Sequence, residues 1–93
     1  MSPALVAPGE PLDPAWTPAT SPAQAAALAR AGATVLVTLP DELDAALAAA
    51  AIYCWHGAQV FVTEHTDQVR LALDMTESLA GRRPPALTRR GLA

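Results

Sequence analysis

The side chains of this sequence that could do chemistry are few, and three of them lie in one short polar stretch. Glu64, His65 and Asp67 closely follow the apolar run Val60-Phe61-Val62. Carboxylates and histidine are the groups that general acid–base catalysis and metal binding require. A solvated turn, with Thr66 or Asp67 as the N-cap of a following helix, explains the same residues without any ligand. Glu64 and His65 are therefore the only catalytic candidates, and the sequence assigns no metal ligand and no cofactor to this chain.

The other groups of interest are explained by packing and by helix ends. Cys54 is the single cysteine and lies in an apolar stretch, so we interpret it as a packing residue of a protein from a reducing compartment. Gly32 and Gly57 each stand between a predicted helix and a predicted strand. Both are interpreted as helix stops, and neither belongs to a glycine-rich phosphate loop.

The charge pattern limits the classes of partner. The net charge is −3, although four of the six arginines fall between Arg82 and Arg90. An acidic balance without aromatic residues among those arginines argues against nucleic acid, so we interpret them as a solvated tail or as salt links to an acidic partner surface. The sequence shows no signal peptide and no apolar run long enough to span a membrane, and we expect a cytoplasmic protein.

The first 20 residues are predicted to form an extended arm. Six of the nine prolines lie within the first 22 residues, and proline lacks the N–H that helices and central strands need. Two interpretations stay open. The arm is disordered, or it lies on a partner with Trp16 as one of its anchors.

Helical and strand patterns alternate after the arm. Ser21-Pro22 is typical of a helix start. Compact apolar runs over residues 34–38 and 59–63 predict two strands, and helical patterns cover residues 41–56 and 67–79. The order helix, strand, helix, strand, helix predicts an α/β fold with two parallel strands.

The two later helices are predicted to need cover from another chain. The first of them is apolar nearly all round in its C-terminal half, so more than one of its sides must be covered. The residues predicted on the inner face of the last helix are Val69, Ala72, Leu73, Thr76 and Leu79. Those predicted to point outward are Arg70, Asp74 and Glu77. Because so short a chain has a small core, a partner must complete it. The predicted interface residues are Trp16, Ile52, Tyr53, Trp55, Leu73 and Leu79.

The second half of the chain resembles a known family. From about Asp41 to Ala93 it is similar to the C-terminal part, the last two β/α repeats, of dihydropteroate synthase of the actinobacterial type. The residues that carry the resemblance are Leu43-Asp44-Ala45-Ala46, Gly57-Ala58, Val60-Phe61, Ala72-Leu73-Asp74-Met75, Gly81-Arg82-Arg83-Pro84-Pro85-Ala86 and Arg90-Gly91-Leu92-Ala93. The resemblance implies a partial (β/α) barrel, with a truncated domain over residues 21–81 and an Arg/Pro-rich tail over residues 82–93.

The resemblance also implies which functional side chains to look for. The family joins a pterin pyrophosphate to p-aminobenzoate with the help of magnesium, and an Arg-x-His pattern on its last strand binds the anion. Val62 and Glu64 hold those two positions here, or Thr63 and His65 after a slip of one residue. The Ser-Arg-Lys-like motif of the preceding strand corresponds to Thr38-Leu39-Pro40. The activity is therefore not transferred to this chain alone, and magnesium or pterin is expected only in a partner.

Three functional hypotheses follow. The first is a noncatalytic or helper small subunit of a heteromeric dihydropteroate-synthase-like enzyme, docking through its C-terminal helices as the dimerisation of the family implies. The second is an enzyme component that contributes Glu64 and His65 to an active site shared with the partner. The third is a small homo-oligomeric binding protein whose copies pair their sheets.

Overall fold

The fold is built on one parallel sheet. The computed structural model describes residues 3–82, and its elements follow each other as β1 (Ala4–Val6), β2 (Thr17–Pro18), α1 (Pro22–Arg30), β3 (Val35–Thr38), α2 (Leu43–Trp55), β4 (Val60–Val62) and α3 (Thr66–Leu79). All strand pairs are parallel, in the order β1-β4-β3-β2. The predicted α/β class and the parallel pairing of β3 with β4 are confirmed. The predicted tail lies outside the described residues from Arg83 onward.

The number of strands corrects the prediction of two. Both additional strands, β1 and β2, come from the segment predicted to be an extended arm. They take the two edges of the sheet, which are the positions where a proline-containing segment can still pair. The arm also packs on its own chain, because Trp16 covers the apolar residues Leu36, Val60 and Val62.

The edge formed by β2 has no free donor at its centre. The Thr17 N–H donates to the Thr34 carbonyl at 2.8 Å and the Ala19 N–H donates to the Leu36 carbonyl at 2.9 Å. Because successive residues of a strand point their backbone groups to opposite sides, Pro18 faces outward. Proline has no N–H, so this edge cannot accept a further strand in regular register.

The opposite edge, formed by β1, is closed at both ends. The residues on either side of Leu5 bond to β4 and its flanking residues, so only Leu5 has backbone groups on the open side. At one end Nη1 of Arg70 donates to the Pro3 carbonyl at 2.9 Å. At the other end the Ala7 N–H donates to Oε1 of Glu10 at 2.8 Å. A single open residue is too little for a stable added strand.

Local side chains fix where α1 and α2 begin. Ser21 caps α1, as predicted, and its Oγ accepts the Gln24 N–H at 3.1 Å. Glu42 caps α2, and its carboxylate accepts the N–H groups of Asp44 and Ala45 at 2.9 and 3.0 Å. These bonds satisfy N–H groups that have no partner within the helix.

Apolar clusters fill both sides of the sheet. The larger lies between the sheet and the helices, where Val35, Phe61, Val69 and Leu73 are fully buried. The smaller consists of Leu36, Val60 and Val62, with Val6 and Trp16 packed against it. Side chains of a strand alternate between its two faces, which explains why neighbouring residues of β3 and β4 enter different clusters.

Gly57 permits α1 and α2 to approach each other. It has a φ of +104°, and a Cβ placed on it would lie 2.7 Å from the Cβ of Ala29 in α1. The position is therefore closed to other residues both by its backbone conformation and by this contact. The turn after α2 is thereby held against α1, next to the start of β4.

The inner face of α3 differs from the prediction at two residues. Val69, Leu73 and Thr76 are buried as predicted, but Glu77 is also buried and Leu79 is exposed. The buried residues follow the spacing of a single helical stripe, which Leu79 leaves. Glu77 stays on that stripe because Arg82, just beyond the end of the helix, folds back and pairs with its carboxylate.

Candidate functional site

Ligands of β/α proteins bind at the carboxyl ends of the strands, and here the loops that follow β3 and β4 carry acidic side chains and one histidine but no arginine. β3 ends at Thr38 and β4 ends at Val62, and the Leu39 N–H donates to the Val62 carbonyl at 3.0 Å. Thr63 follows and is buried, and its Oγ1 accepts the His65 N–H at 3.0 Å. The Thr63 hydroxyl is therefore bonded within the loop that follows β4 and fixes the conformation of that loop.

The two catalytic candidates both lie at this edge. Nε2 of His65 lies 2.7 Å from the carbonyl oxygen of Asp41, which joins the loop after β4 to the loop after β3. Glu64 is exposed. The prediction that Thr66 or Asp67 caps the last helix is wrong, because His65 takes the N-cap position without a side-chain bond.

Neither a metal site nor a membrane span is found in the described part of the chain. Between residues 3 and 82 no group of three His, Cys, Asp or Glu side chains is placed to hold a metal ion. Over the same residues no helix is both long enough and apolar enough to cross a bilayer.

A more organised polar cluster lies at the other ends of the strands, next to the residues that precede β1 and β4. Oε2 of Glu77 accepts Nε of Arg82 at 2.5 Å and the thiol of Cys54 at 3.4 Å. Nη2 of Arg82 also donates to the Cys54 carbonyl at 2.6 Å. The cluster borders a cavity of about 250 Å³ that Pro3 and Gln59 also line. It ties the end of α2 to the end of α3.

The surroundings of Cys54 make it a poor nucleophile. Burial, together with the hydrogen bond to Glu77 and its negative charge, raises the pKa of the thiol to about 11. Thiolates, not thiols, attack electrophiles and bind metals. Cys54 is a buried free thiol, and its predicted interpretation as a packing residue is confirmed.

The outer side of α2 and α3 presents an uncovered apolar surface. Ile52 and Trp55 on α2, and Leu71, Met75 and Leu79 on α3, are each between 48% and 74% exposed. The three residues of α3 recur every fourth position and form one stripe. Ile52, Trp55 and Leu79 line one open surface cavity of about 280 Å³, which joins that stripe to α2. We call these five residues the apolar helical face.

The predicted interface residues are divided between this face and the interior. Ile52, Trp55 and Leu79 belong to the apolar helical face. Leu73 is fully buried in the larger cluster, so its assignment to an interface is corrected. Tyr53 and Trp16 are half-buried against the larger and the smaller cluster respectively.

Sequence reasoning missed Leu71, Met75 and the cluster around Glu77. The spacing of Leu71, Met75 and Leu79 does indicate a shared side of the helix. The predicted inner stripe of α3 is too broad, because it includes Leu79, which is the last residue of the exposed stripe. No pattern indicates the Glu77–Arg82 pair, because it depends on how the chain turns after the helix.

Comparisons with known proteins agree with the predicted resemblance. No family model matches the chain. The chain is 40% identical over 62 residues to the inactive dihydropteroate synthase 2 of Mycobacterium bovis and to that of Mycobacterium tuberculosis. The match covers 67% of this chain and 20% of each relative, so the chain spans about one fifth of the curated relatives that it matches.

A comparison of folds also finds a mycobacterial protein that resembles part of this chain. The solved structure of Mycobacterium tuberculosis Rv1207 matches with a TM-score of 0.60 and 35% identity over 69% of this chain and 28% of that chain. The matched part of this parallel-stranded α/β fold thus corresponds to part of a (β/α) barrel. In sequence and in fold, the chain is similar to a part of a dihydropteroate-synthase-like protein.

Proposed function

We propose that the chain is a noncatalytic dihydropteroate-synthase-like protein that binds a larger dihydropteroate-synthase-like chain through its apolar helical face. The observation that carries the proposal is the exposure of five large apolar side chains on one side of α2 and α3. Contiguous apolar surfaces of this kind mark sites of protein–protein interaction. On this proposal magnesium and pterin are bound by the larger chain.

The carboxyl edge of the sheet supports a noncatalytic role. Val62, at the position of the arginine that would bind an anion, is buried in the smaller cluster. Trp16 packs against the same cluster and covers the side of the sheet that a barrel would turn toward its interior. Glu64 places a carboxylate where the histidine is expected, and a carboxylate repels pyrophosphate. The curated relatives are themselves named inactive.

The edges of the sheet favour docking through helices over docking through strands. Pro18 faces outward on β2, and Arg70 and Glu10 close the two ends of the β1 edge. A partner strand would find few backbone groups to bond at either edge. This arrangement also disfavours the alternative in which copies of the chain pair their sheets.

The composition of α2 also supports the apolar helical face as the docking surface. Among its 13 residues only Asp44 is charged, whereas a helix that faces water normally carries charged residues on that side. Its buried side already packs in the core through Ala46, Ala50 and Cys54. The remaining apolar side, which includes Ile52 and Trp55, therefore needs a second cover.

The experiment that tests the proposal is co-purification with a full-length dihydropteroate-synthase-like chain from the same host. Trp55→Glu should weaken the complex by about 100-fold or more, because it places an unpaired charge in a surface that loses its water on binding. Leu12→Glu is the matched control. Leu12 is the one large exposed apolar residue between residues 3 and 82 that lies outside the apolar helical face, and its variant should bind normally.

Two results would count against the proposal. The first is a pair of independent monomer peaks when the wild-type chain and the larger chain are co-expressed. The second is equal binding by the Trp55→Glu and Leu12→Glu variants. Tyr53→Asp should also lower the yield of the complex, but through a loss of folding and not of a contact, because Tyr53 packs against the core; circular dichroism of the variant checks this.

A further inference from the structure

We infer that the side of the sheet away from the helices is a surface that binds extended peptide segments as parallel strands, and that residues 3–19 occupy it as a removable strap. This surface and the apolar helical face belong to opposite layers of the molecule, so the role of the strap does not rest on the proposed docking. An extended segment of another chain with the same apolar anchors competes with the strap for this surface.

The strap runs from one edge of the sheet to the other. β1 pairs with β4 and β2 pairs with β3, so its two strands lie outside the central pair. Val6 and Trp16, at the two ends of the connection between β1 and β2, both pack against the smaller cluster. The helices pack against the larger cluster. The connection therefore passes over the side of the sheet that the helices leave open.

The strap covers an apolar surface. Leu36, Val60 and Val62 are only 3% to 8% exposed, and the partly buried apolar side chains packed against them are Val6 and Trp16. An aromatic side chain of this size removes a large area from water and is a common anchor of bound segments. Release of the strap would uncover the whole smaller cluster at once.

The strap also satisfies backbone groups of the central strands. The Ala4 N–H donates to the Gln59 carbonyl at 2.8 Å, and the Val6 carbonyl accepts the Thr63 N–H at 3.0 Å. β2 makes equivalent bonds to β3 at the other edge. Segments that add to a sheet in this way gain affinity from main-chain bonds and specificity from alternate side chains. Here Val6 and Trp16 are the side chains that supply the specificity.

Several features make the strap separable from the rest of the fold. β1 has three residues and β2 has two, and strands this short add little stability of their own. The strap contains five prolines, which cannot donate backbone bonds. A segment of this kind opens at a lower free energy than the whole chain.

Hydrogen exchange of the wild-type chain tests whether the strap opens on its own. The N–H groups of Ala4, Thr17 and Ala19 bond the strap to the rest of the sheet. They should exchange about 100-fold faster than those of Leu39 and Gln59, which join β3 to β4. Equal rates would mean that the strap leaves only when the whole chain unfolds, and would overturn the inference.

A peptide of residues 3–19 tests the surface itself. The full-length Val6→Asp, Trp16→Asp variant has both apolar anchors of its strap replaced. The labelled peptide, added up to about 1 mM to match the effective concentration that a short tether gives, should bind this variant at least about tenfold more tightly than the wild-type chain. In the wild-type chain the strap already occupies the surface, which lowers the apparent affinity. Fluorescence anisotropy measures both affinities.

Two controls make the peptide test specific. The Leu12→Asp, Ala15→Asp variant adds the same charges at exposed positions of the strap and should bind the peptide as weakly as the wild-type chain. A peptide that carries Val6→Asp and Trp16→Asp should bind none of the three proteins.

Three results of the peptide test would overturn the inference. The first is no binding to the Val6→Asp, Trp16→Asp variant, whether or not its circular dichroism still shows the helices. The second is equal binding to that variant and to the wild-type chain. The third is loss of binding when Trp55→Glu is added to the variant, because that would place the peptide on the apolar helical face. None of these results involves the larger chain, so they are distinguishable from failure of the proposed function.

Discussion

The inner and outer sides of the α2–α3 pair differ in how their side chains are covered. On the inner side every large group has a partner, since Leu73 packs in the larger cluster and Glu77 is paired with Arg82 and Cys54. On the outer side Trp55 and Leu79 are exposed around an open cavity. The difference teaches that the inner side maintains the fold, while the outer side is left to bind. Substitutions should therefore affect stability on one side and association on the other.

The contrast is tested most severely by two leucines of the same helix. Leu73→Ala should lower the free energy of unfolding by about 3 kcal/mol, because it leaves a cavity in the core. Leu79→Ala should change it by less than about 0.5 kcal/mol, because Leu79 is exposed. Urea unfolding followed by circular dichroism measures both. Equal losses would mean that the two sides are not distinct.

The polar part of the inner side should be the next most sensitive. Glu77→Ala removes the acceptor of both Arg82 and Cys54. We expect a loss of about 2 kcal/mol, since Arg82 can reach water while the thiol cannot. Thermal unfolding at neutral pH measures this, with Asp67→Ala as the exposed control on the same helix. A loss no larger than that of the control would contradict the assigned role of the pair.

Alkaline pH tests the same cluster without changing its shape. The folded pKa of Cys54 is raised from about 9 to about 11, so the unfolded chain loses the thiol proton first. Stability from this group is fully present below pH 9 and falls as the pH rises toward 11. The expected loss at pH 10 is about 1.4 kcal/mol. The sequence has no lysine, and subtracting the Cys54→Ala curve removes the remaining titrations. A difference that does not vary with pH would refute the raised pKa.

The smallest effect is expected at the carboxyl edge of the sheet. Glu64→Gln should leave both stability and complex formation unchanged, because Glu64 is exposed there. Turnover of the assembled complex should also stay the same. A fall of about 100-fold would instead favour an active site shared with the partner, since that is the scale of a lost general acid or base.

Sequence reasoning recovered the parts of the molecule that depend on local patterns. The cap at Ser21 and the strands β3 and β4 follow from propensity and periodicity. The edge strands did not, since a segment rich in proline gives no strand pattern and pairs only because β3 and β4 supply neighbours. The positions of Glu77 and Leu79 depend on the turn after α3 and on the packing of α2, which no local pattern describes.

The central claim is that the apolar helical face is the docking surface, and hydroxyl-radical footprinting tests it directly. Trp55 and Met75 are exposed and carry side chains that react readily with the radical. Adding the full-length dihydropteroate-synthase-like chain should protect both, while modification of Trp16 stays unchanged. Binding without protection of Trp55 and Met75, or protection confined to the loop at Glu64 and His65, would contradict the account.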